Sequence, residues 1–335
     1  MKILVTGGAG FIGSNFVLHL MRAYPSYRVV NLDKLTYAGN LENLRDIEGD
    51  PRYSFVKGDI GDGQLIEEIL KDGVDAIVNF AAESHVDRSI LEPAPFIRTN
   101  ILGTHVLLEA ARARSIKRYL QVSSDEVYGS LGPSGLFTEE SPLKPNNPYS
   151  ASKASADLLV LAYHHTFGFP ALISRCSNNY GSYQFPEKFI PLTITNALEE
   201  KHIPVYGDGL QIRDWIHVKD HCKGLDLLLH RGQAGKVYNI GGIKDVPNLE
   251  IARKILTFMG KPNSLLTFVK DRPGHDKRYA IDSSLIEREM GWKPKVALDE
   301  GLKDTIGWYI NNRPWWDKIK SGEYQAYYEK LYSLR

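Results

Sequence analysis

Two carboxylates stand side by side at Asp125 and Glu126, in the run QVSSDEVYG. Neighbouring acids repel, and loop solvation alone does not account for a pair of them directly after two serines. An acid and a base within reach of one substrate would use such a pair, because repulsion makes one hold its proton while the other stays ionised. Further along, PYSASK sets Tyr149 and Lys153 four residues apart at the start of a helical run. That spacing puts both side chains on one helix face. A phenol is a poor base near neutrality, with an unperturbed pKa of about 10, but a neighbouring ammonium favours phenolate. Ser124 is the natural third member, bonding a substrate hydroxyl that Tyr149 would deprotonate.

A second constellation supplies the partner for that proton transfer. TGGAGFIG places Gly7, Gly10 and Gly13 at three-residue intervals between an apolar run and a helical one. Glycine permits the turn and lets backbone approach a pyrophosphate, whose charge sits at the helix N-terminus. The spacing differs by one residue from the GxGxxG fingerprint, but the context matches it. A strand precedes, a helix follows, and Asp33 lies about twenty residues beyond Gly13 at a strand end. Asp33 would accept hydrogen bonds from the adenosine ribose and repel a 2′-phosphate, favouring NAD over NADP. Lys34 beside it works against that, since a lysine partly neutralises a phosphate. GDI ends a third strand at Asp59 and Ile60, where adenine would lie, although Asp59 reads nearly as well as a solvated strand end. With a positive nicotinamide ring nearby, Tyr149 could take a hydroxyl proton while hydride leaves the same carbon.

Alternating elements must position these groups. KILVTG, YRVVNLD, YSFVKGD, DAIVNFAA and RYLQVSS read as strands; FIGSNFVLHLMRAY, QLIEEILKD and FIRTNILGTHVLLEAARAR read as helices. Short apolar strands alternating with helices argue for an α/β fold, a parallel sheet covered on both faces. Neighbours on an extended strand point to opposite faces, so the strand must end by Asp125 if both acids are to reach one substrate. After about Arg175 the pattern loosens into Pro- and Gly-rich stretches such as QFPEKFIP and DRPGHDKRY, suited to a lobe over a ligand. KVYNIGG reads as one more strand, and the aromatic C-terminal run as helices packed on the body.

The 335 residues are enough for two lobes, and a net charge of +1 without a dense basic block argues against nucleic acid or an acidic membrane surface. The start MKILVTGG is too short for a signal-peptide core, and no run is long enough to span a bilayer. Two cysteines, Cys176 and Cys222, imply no disulfide framework and read as packing residues. The expectation is a cytoplasmic enzyme or binding protein. His217 and His221 flank Asp220 in a pattern superficially like a metal site. No third ligand is evident, so no metal is expected.

The glycine turn, the Ser–Tyr–Lys trio and the chain length together resemble the extended short-chain dehydrogenase/reductases. SSDEVYG, RCSNNYGSYQFPEKFIPL, VYGDGLQIRDWIHVKDHC and DRPGHDKRYAID are similar to the nucleotide-sugar 4,6-dehydratases over nearly the whole chain. The resemblance implies a Rossmann-type, doubly wound sheet over 1–175 with a return segment near 214–240. A smaller nucleotide-sugar lobe would lie mainly over 176–335. It implies a homodimer through a four-helix bundle built from helices near 95–113 and 150–167. It implies dTDP-glucose as substrate, with NAD bound tightly and regenerated each cycle.

The resemblance also implies roles. Tyr149, Lys153 and Ser124 would oxidise C4, Glu126 would take the C5 proton, and protonated Asp125 would help water leave C6. The hydride would then return to C6. Gly7, Gly10, Phe11, Ile12, Gly13, Asp33, Lys34, Leu35 and Thr36 would hold the cofactor, with Asp59, Ile60, Ala81, Ala82, Ser84, Thr99, Tyr149, Lys153 and Asn179. Ser84, His85, Ser124, Asn178, Glu187, Lys188 and Phe189 would face the substrate, as would Pro204, Tyr206, Arg213, Asn248, Arg272, His275 and Tyr279. Ser124 departs from the threonine common in the family, but the hydroxyl survives. Two rival functions remain: a nucleotide-sugar 4-epimerase or a dehydratase of a UDP- or GDP-sugar, and a non-catalytic NAD-sensing protein. An epimerase has no use for Asp125–Glu126, and a sensor none for Tyr149 and Lys153.

Overall fold

A computed structural model describes residues 1–321. Strands β1 (Lys2–Thr6), β2 (Arg28–Asp33), β3 (Tyr53–Lys57), β4 (Ala76–Asn79), β5 (Arg118–Ser124) and β6 (Ala171–Cys176) pair in parallel. Three further strands follow: β7 (Asn178–Tyr180), β8 (Ile203–Tyr206) and β9 (Ile212–His217). Then β10 (Val237–Ile240) returns to the main sheet beside β6, also in parallel. The seven-stranded order is β10-β6-β5-β4-β1-β2-β3. The order reverses between β1 and β4, which opens a crevice at their carboxyl ends. The fold is the parallel α/β sheet expected from the alternating runs, with the Rossmann-type architecture that the family resemblance implies.

Side-chain alternation along each strand feeds two cores. Ile3 and Val5 pack with helices Phe11–Ala23 and Val218–Arg231, whereas Leu4 packs on the opposite face with Ile66, Leu107 and Val160. All three strand residues are completely buried. Each such side chain contributes about 1.5–3 kcal/mol through its removal from water.

The second lobe has a three-stranded sheet, β11 (Asp245–Pro247) beside β9 beside β7, and a parallel pair of β8 with β12 (Leu266–Val269). Its core gathers Tyr180, Trp215, Ile190, Ile255 and Ile306 with Trp315 and Trp316. The aromatic C-terminal run is helical over Leu298–Asn311 and Arg313–Lys320; its remainder, 322–335, lies outside the described residues. Trp315 Nε1 donates to Asn43 Oδ1 at 2.9 Å, tying the lobe to the Rossmann half.

Two corrections follow. Phe189–Leu198 is a helix, because its proline, Pro191, sits in the first turn where no intrahelical N–H is lost. The long helix read over 96–114 is present, but Ile97–Gly103 within it is π-helical.

Candidate active site

The glycine turn joins β1 to helix Phe11–Ala23 at the sheet's switch point. Gly7 has φ +68°, and a Cβ there would lie 2.7 Å from Ala81 N; one on Gly13 would lie 2.2 Å from Gly7 O. Gly10 caps the helix without any side-chain bond, and its first turn carries no acid. Backbone N–H groups therefore face the cleft with the positive end of the helix dipole behind them, as an anion requires. Asp33 accepts from Ala9 N at 2.9 Å and Leu35 N at 2.8 Å, one bond on each oxygen, so lone pairs remain for a ribose. Lys34 is paired with Asp59 at 2.8 Å, which occupies the cation that would have welcomed a 2′-phosphate. These residues fit a dinucleotide without that phosphate.

Helix Pro148–Phe167 opens with Asn147, whose Oδ1 accepts from Ser150 N at 2.9 Å, and with Pro148 at its first position. This cap aims Tyr149 and Lys153 at the end of β5. Lys153 Nζ donates to Val122 O at 2.7 Å. Burial pushes the Tyr149 phenol well above its ordinary range, and the Glu126 carboxylate pushes it further; a bond with Ser124 acts the other way. The lowering expected from Lys153 is not what dominates here. Burial also pushes the Lys153 ammonium down, partly offset by Asp157, one turn further along the helix. Asp157 itself is held by Arg175 at 2.9 Å, and Arg175 donates to the Tyr128 hydroxyl at 3.0 Å.

Strand β5 ends at Ser124, and Asp125–Tyr128 form a single 3₁₀ turn. The strand thus ends where two-acid chemistry demands. Ser124 Oγ caps the turn by accepting from Glu126 N at 3.2 Å. The two carboxylates share the turn but not their surroundings. Asp125 is 1% exposed and its Oδ2 has no hydrogen-bond partner among the described residues. Burial, then Glu126 and Asp214, push its pKa well above the ordinary carboxylate range. Glu126 is also raised by burial, but Arg272, Arg213 and Lys188 all pull it back. Both shifts are upward, but the three cations oppose the shift at Glu126, which favours the proton staying on Asp125.

Those cations come from the second lobe. Arg213 stands on β9, 4.4 Å over the Tyr279 ring, with Nη2 donating to Asp276 O at 2.9 Å. Arg272 reaches Asp87 at 3.5 Å, and Lys188 donates to Ser84 Oγ at 3.3 Å. Arg272 Nε, Asn178 Oδ1 and Asn248 Oδ1 are buried without partners among the described residues, a costly arrangement that a polar ligand would relieve. His85 holds φ +90° at the mouth of helix Val86–Leu91, a strain of about 1–3 kcal/mol for a non-glycine residue.

A single cleft gathers nearly all the residues singled out from the sequence. On the sheet side it is lined by the glycine turn with Phe11 and Ile12, by Asp33, Lys34 and Thr36, and by Asp59 and Ile60. Ala81, Ala82, Ser84, His85 and Thr99 continue that wall to Ser124, Glu126, Tyr149 and Lys153. Asn178, Asn179, Glu187, Lys188 and Phe189 face them, followed by Pro204, Tyr206, Arg213, Asn248, Arg272 and His275.

Three residues do not line it. Leu35 (φ +56°) gives only its backbone N–H to Asp33, Tyr279 lies beneath Arg213, and Asp125 sits behind the surface. Missed from the sequence were Tyr37, Gln211, Trp215 and Cys176, which also line the cleft. QIRDW carried Gln211 and Trp215 in plain view; nothing in the spacing marks Tyr37. The Cys176 thiol is pushed up to about 12 by burial, so it is inert. His217 and His221 are pushed down to about 4 and about 3, and both are neutral. His221 Nδ1 meets Asn179 Oδ1 at 2.9 Å, and no group of three metal-ligating side chains occurs among the described residues.

Comparison with known proteins places this arrangement. The family described as GDP-mannose 4,6 dehydratase matches residues 4–305. A dTDP-glucose 4,6-dehydratase of Xanthomonas campestris pv. campestris is 51% identical over 341 residues, covering 96% of this chain and 97% of that one. Two solved structures are each 51% identical and cover 96% of this chain and all of theirs. The NAD-bound dTDP-glucose 4,6-dehydratase of Bacillus anthracis superposes with a TM-score of 0.91. The NAD-bound dTDP-glucose 4,6-dehydratase DesIV of Streptomyces venezuelae gives 0.94. With near-complete coverage in sequence and fold alike, the chain belongs to the dTDP-glucose 4,6-dehydratases, nucleotide-sugar dehydratases of the extended short-chain dehydrogenase/reductase family.

Proposed function

We propose that this protein converts dTDP-glucose to dTDP-4-dehydro-6-deoxy-glucose, holding NAD as a resident cofactor. The observation that carries the reading is the acid turn: Asp125 and Glu126 adjacent in one 3₁₀ turn at the end of β5, beside Tyr149 and Ser124, with Asp125 raised the more strongly of the two. When bound, NAD would supply reversible hydride transfer between C4 and C6 of the sugar. The glycine turn, Asp33 and the Ala81–Ser84 wall would hold it.

Ser124 bonds the C4 hydroxyl and Tyr149 takes its proton. A ketone at C4 acidifies the C5 hydrogen, which Glu126 removes. Asp125 gives its proton to the C6 hydroxyl, which leaves as water. Glu126 then returns a proton to C5, and release of the proton on Tyr149 to solvent with uptake of one by Asp125 resets both residues, so the cycle closes as loss of one water. Arg213, Arg272 and Lys188 suit the diphosphate, and they oppose the upward pull of burial on Glu126. Asp125 lies next to the cleft-lining Ser124 and Glu126, with its Oδ2 buried and without a partner among the described residues.

The division into a 1–175 cofactor domain with a return near 214–240, and a 176–335 substrate lobe, belongs to this reading. So does a homodimer. Ile97 and Leu102 on one long helix, and Leu158 and Phe167 on the other, are each more than half exposed, an apolar surface suited to a second copy. Among the described residues no helix is long and apolar enough to cross a membrane. Two buried free thiols suit a reducing compartment, and we place the protein in the cytoplasm.

The test is to incubate purified protein, without added NAD, with dTDP-glucose and separately with UDP-glucose, and to weigh the products. Loss of one water from dTDP-glucose alone is expected. An isomer of unchanged mass would make the protein an epimerase.

A further inference from the structure

At one place the two walls of the cleft are joined by side chains. Tyr37 lies in the loop after β2, on the cofactor side, and its hydroxyl donates to Ser84 O at 2.8 Å. The Arg88 guanidinium sits 3.7 Å over the Tyr37 ring. Arg88 in turn gives two bonds, at 3.1 and 3.0 Å, to Glu187 Oε2 on the opposite wall. Phe185 meets the Tyr37 ring edge-on at 5.4 Å. The bridge therefore ties three segments: the loop that follows Asp33, the loop and short helix that follow β4, and the 183–188 segment of the second lobe. Tyr37, Ser84, Phe185 and Glu187 all line the cleft.

The energetics favour a closed bridge. Glu187 is 7% exposed, and burial alone would push its carboxyl up, with Lys188 and Arg88 opposing that. Opening the contact would leave a buried carboxylate without its guanidinium partner and remove the cation–π contact. Tyr37 lies four residues beyond Asp33 and Arg88 four beyond Ser84, both on the sheet side of the cleft, so the bridge closes over the wall assigned to the cofactor. A cofactor that is regenerated in place calls for such a tie.

We propose that Tyr37, Arg88 and Glu187 form a retaining bridge that limits dinucleotide release. The proposal rests on the reading that this cleft holds NAD. Purified wild-type protein, Arg88→Ala, Tyr37→Ala and the milder Tyr37→Phe are passed through gel filtration, and nicotinamide nucleotide released on denaturation is counted over time. Wild type should retain it. Arg88→Ala and Tyr37→Ala should lose it roughly tenfold faster or more, equivalent to one broken strong contact, and Tyr37→Phe by less. Added NAD should restore their bound nucleotide. Folded variants that retain the nucleotide as long as wild type would overturn the bridge. Wild type that carries no nicotinamide nucleotide and binds none when it is added would instead overturn the cofactor reading itself.

Discussion

The catalytic helix and the acid turn solve the same problem in different ways. Both present two titratable groups to one cleft, and both are buried. On the helix, Tyr149 and Lys153 are spaced by a full turn, and burial acts on both alike by disfavouring their charged forms. On the turn, Asp125 and Glu126 are adjacent, and what differs is the company they keep. Three cations from the second lobe act on Glu126, while Asp125 has Asp214 beside it and Arg213 as its one opposing cation. Spacing therefore divides the labour on the helix, and charge environment divides it on the turn. An enzyme that moves only hydride needs the first device; one that also expels water needs both.

The comparison can be broken at several points. The largest effect is expected from Tyr149→Phe, which removes the base for the first step. Turnover should fall by about 10²–10⁴-fold, with no 4-keto sugar formed. Glu126→Gln should lower product formation by a similar order, but selectively: oxidation at C4 survives and a 4-keto sugar that still carries its C6 oxygen accumulates in a quenched-flow experiment. Equal loss of both steps in this variant would erase the distinction between helix and turn.

Asp125→Asn sharpens the comparison further, because it replaces a protonated acid by a neutral isostere. Water loss should slow by about 10–100-fold, since an amide is a poor proton donor. Its stability effect has the opposite sign. The Asp125 pKa is raised in the folded state, so its contribution is fully present below the ordinary carboxylate value and is lost as pH rises through the raised one. Thermal melts should show Asp125→Asn gaining on wild type as pH rises, by on the order of 1 kcal/mol or more.

Asp226 serves as a remote contrast. It takes bonds from His19 at 2.8 Å and Tyr24 at 2.9 Å, and pairs with His230 at 2.9 Å, joining helices Phe11–Ala23 and Val218–Arg231. Its carboxyl is held well below the ordinary range, burial opposing and these partners prevailing. That stability is present above the ordinary Asp value and is lost as pH falls through the lowered one. Asp226→Asn should cost about 1–3 kcal/mol in denaturant melts and leave turnover within about twofold.

How far the sequence discloses this differs between the two regions. Tyr149 and Lys153 are legible because helical spacing is fixed and the glycine turn supplies context. Asp125 and Glu126 are visible as a pair, but their unequal protonation is not, since Arg213, Arg272 and Asp214 are brought in from distant strands and loops. The same holds for the folds around them. Strands such as KILVTG are short and apolar on both faces, which marks a parallel sheet. The second lobe hides its elements: Pro191 in a first turn and the three-residue strands β7 and β11 give no periodicity to read. Tyr37 was missed because a bridge across a cleft leaves no mark in local spacing.

The claim at the centre is that one hydride leaves C4 and returns to C6 within one active site while the acid turn expels water between. The most direct measurement is to supply dTDP-glucose deuterated at C4, without added NAD, and to locate the label in the product. Product lighter by one water with the deuterium at C6 is expected. An isomer of unchanged mass, or a product whose deuterium has gone to solvent, would contradict it.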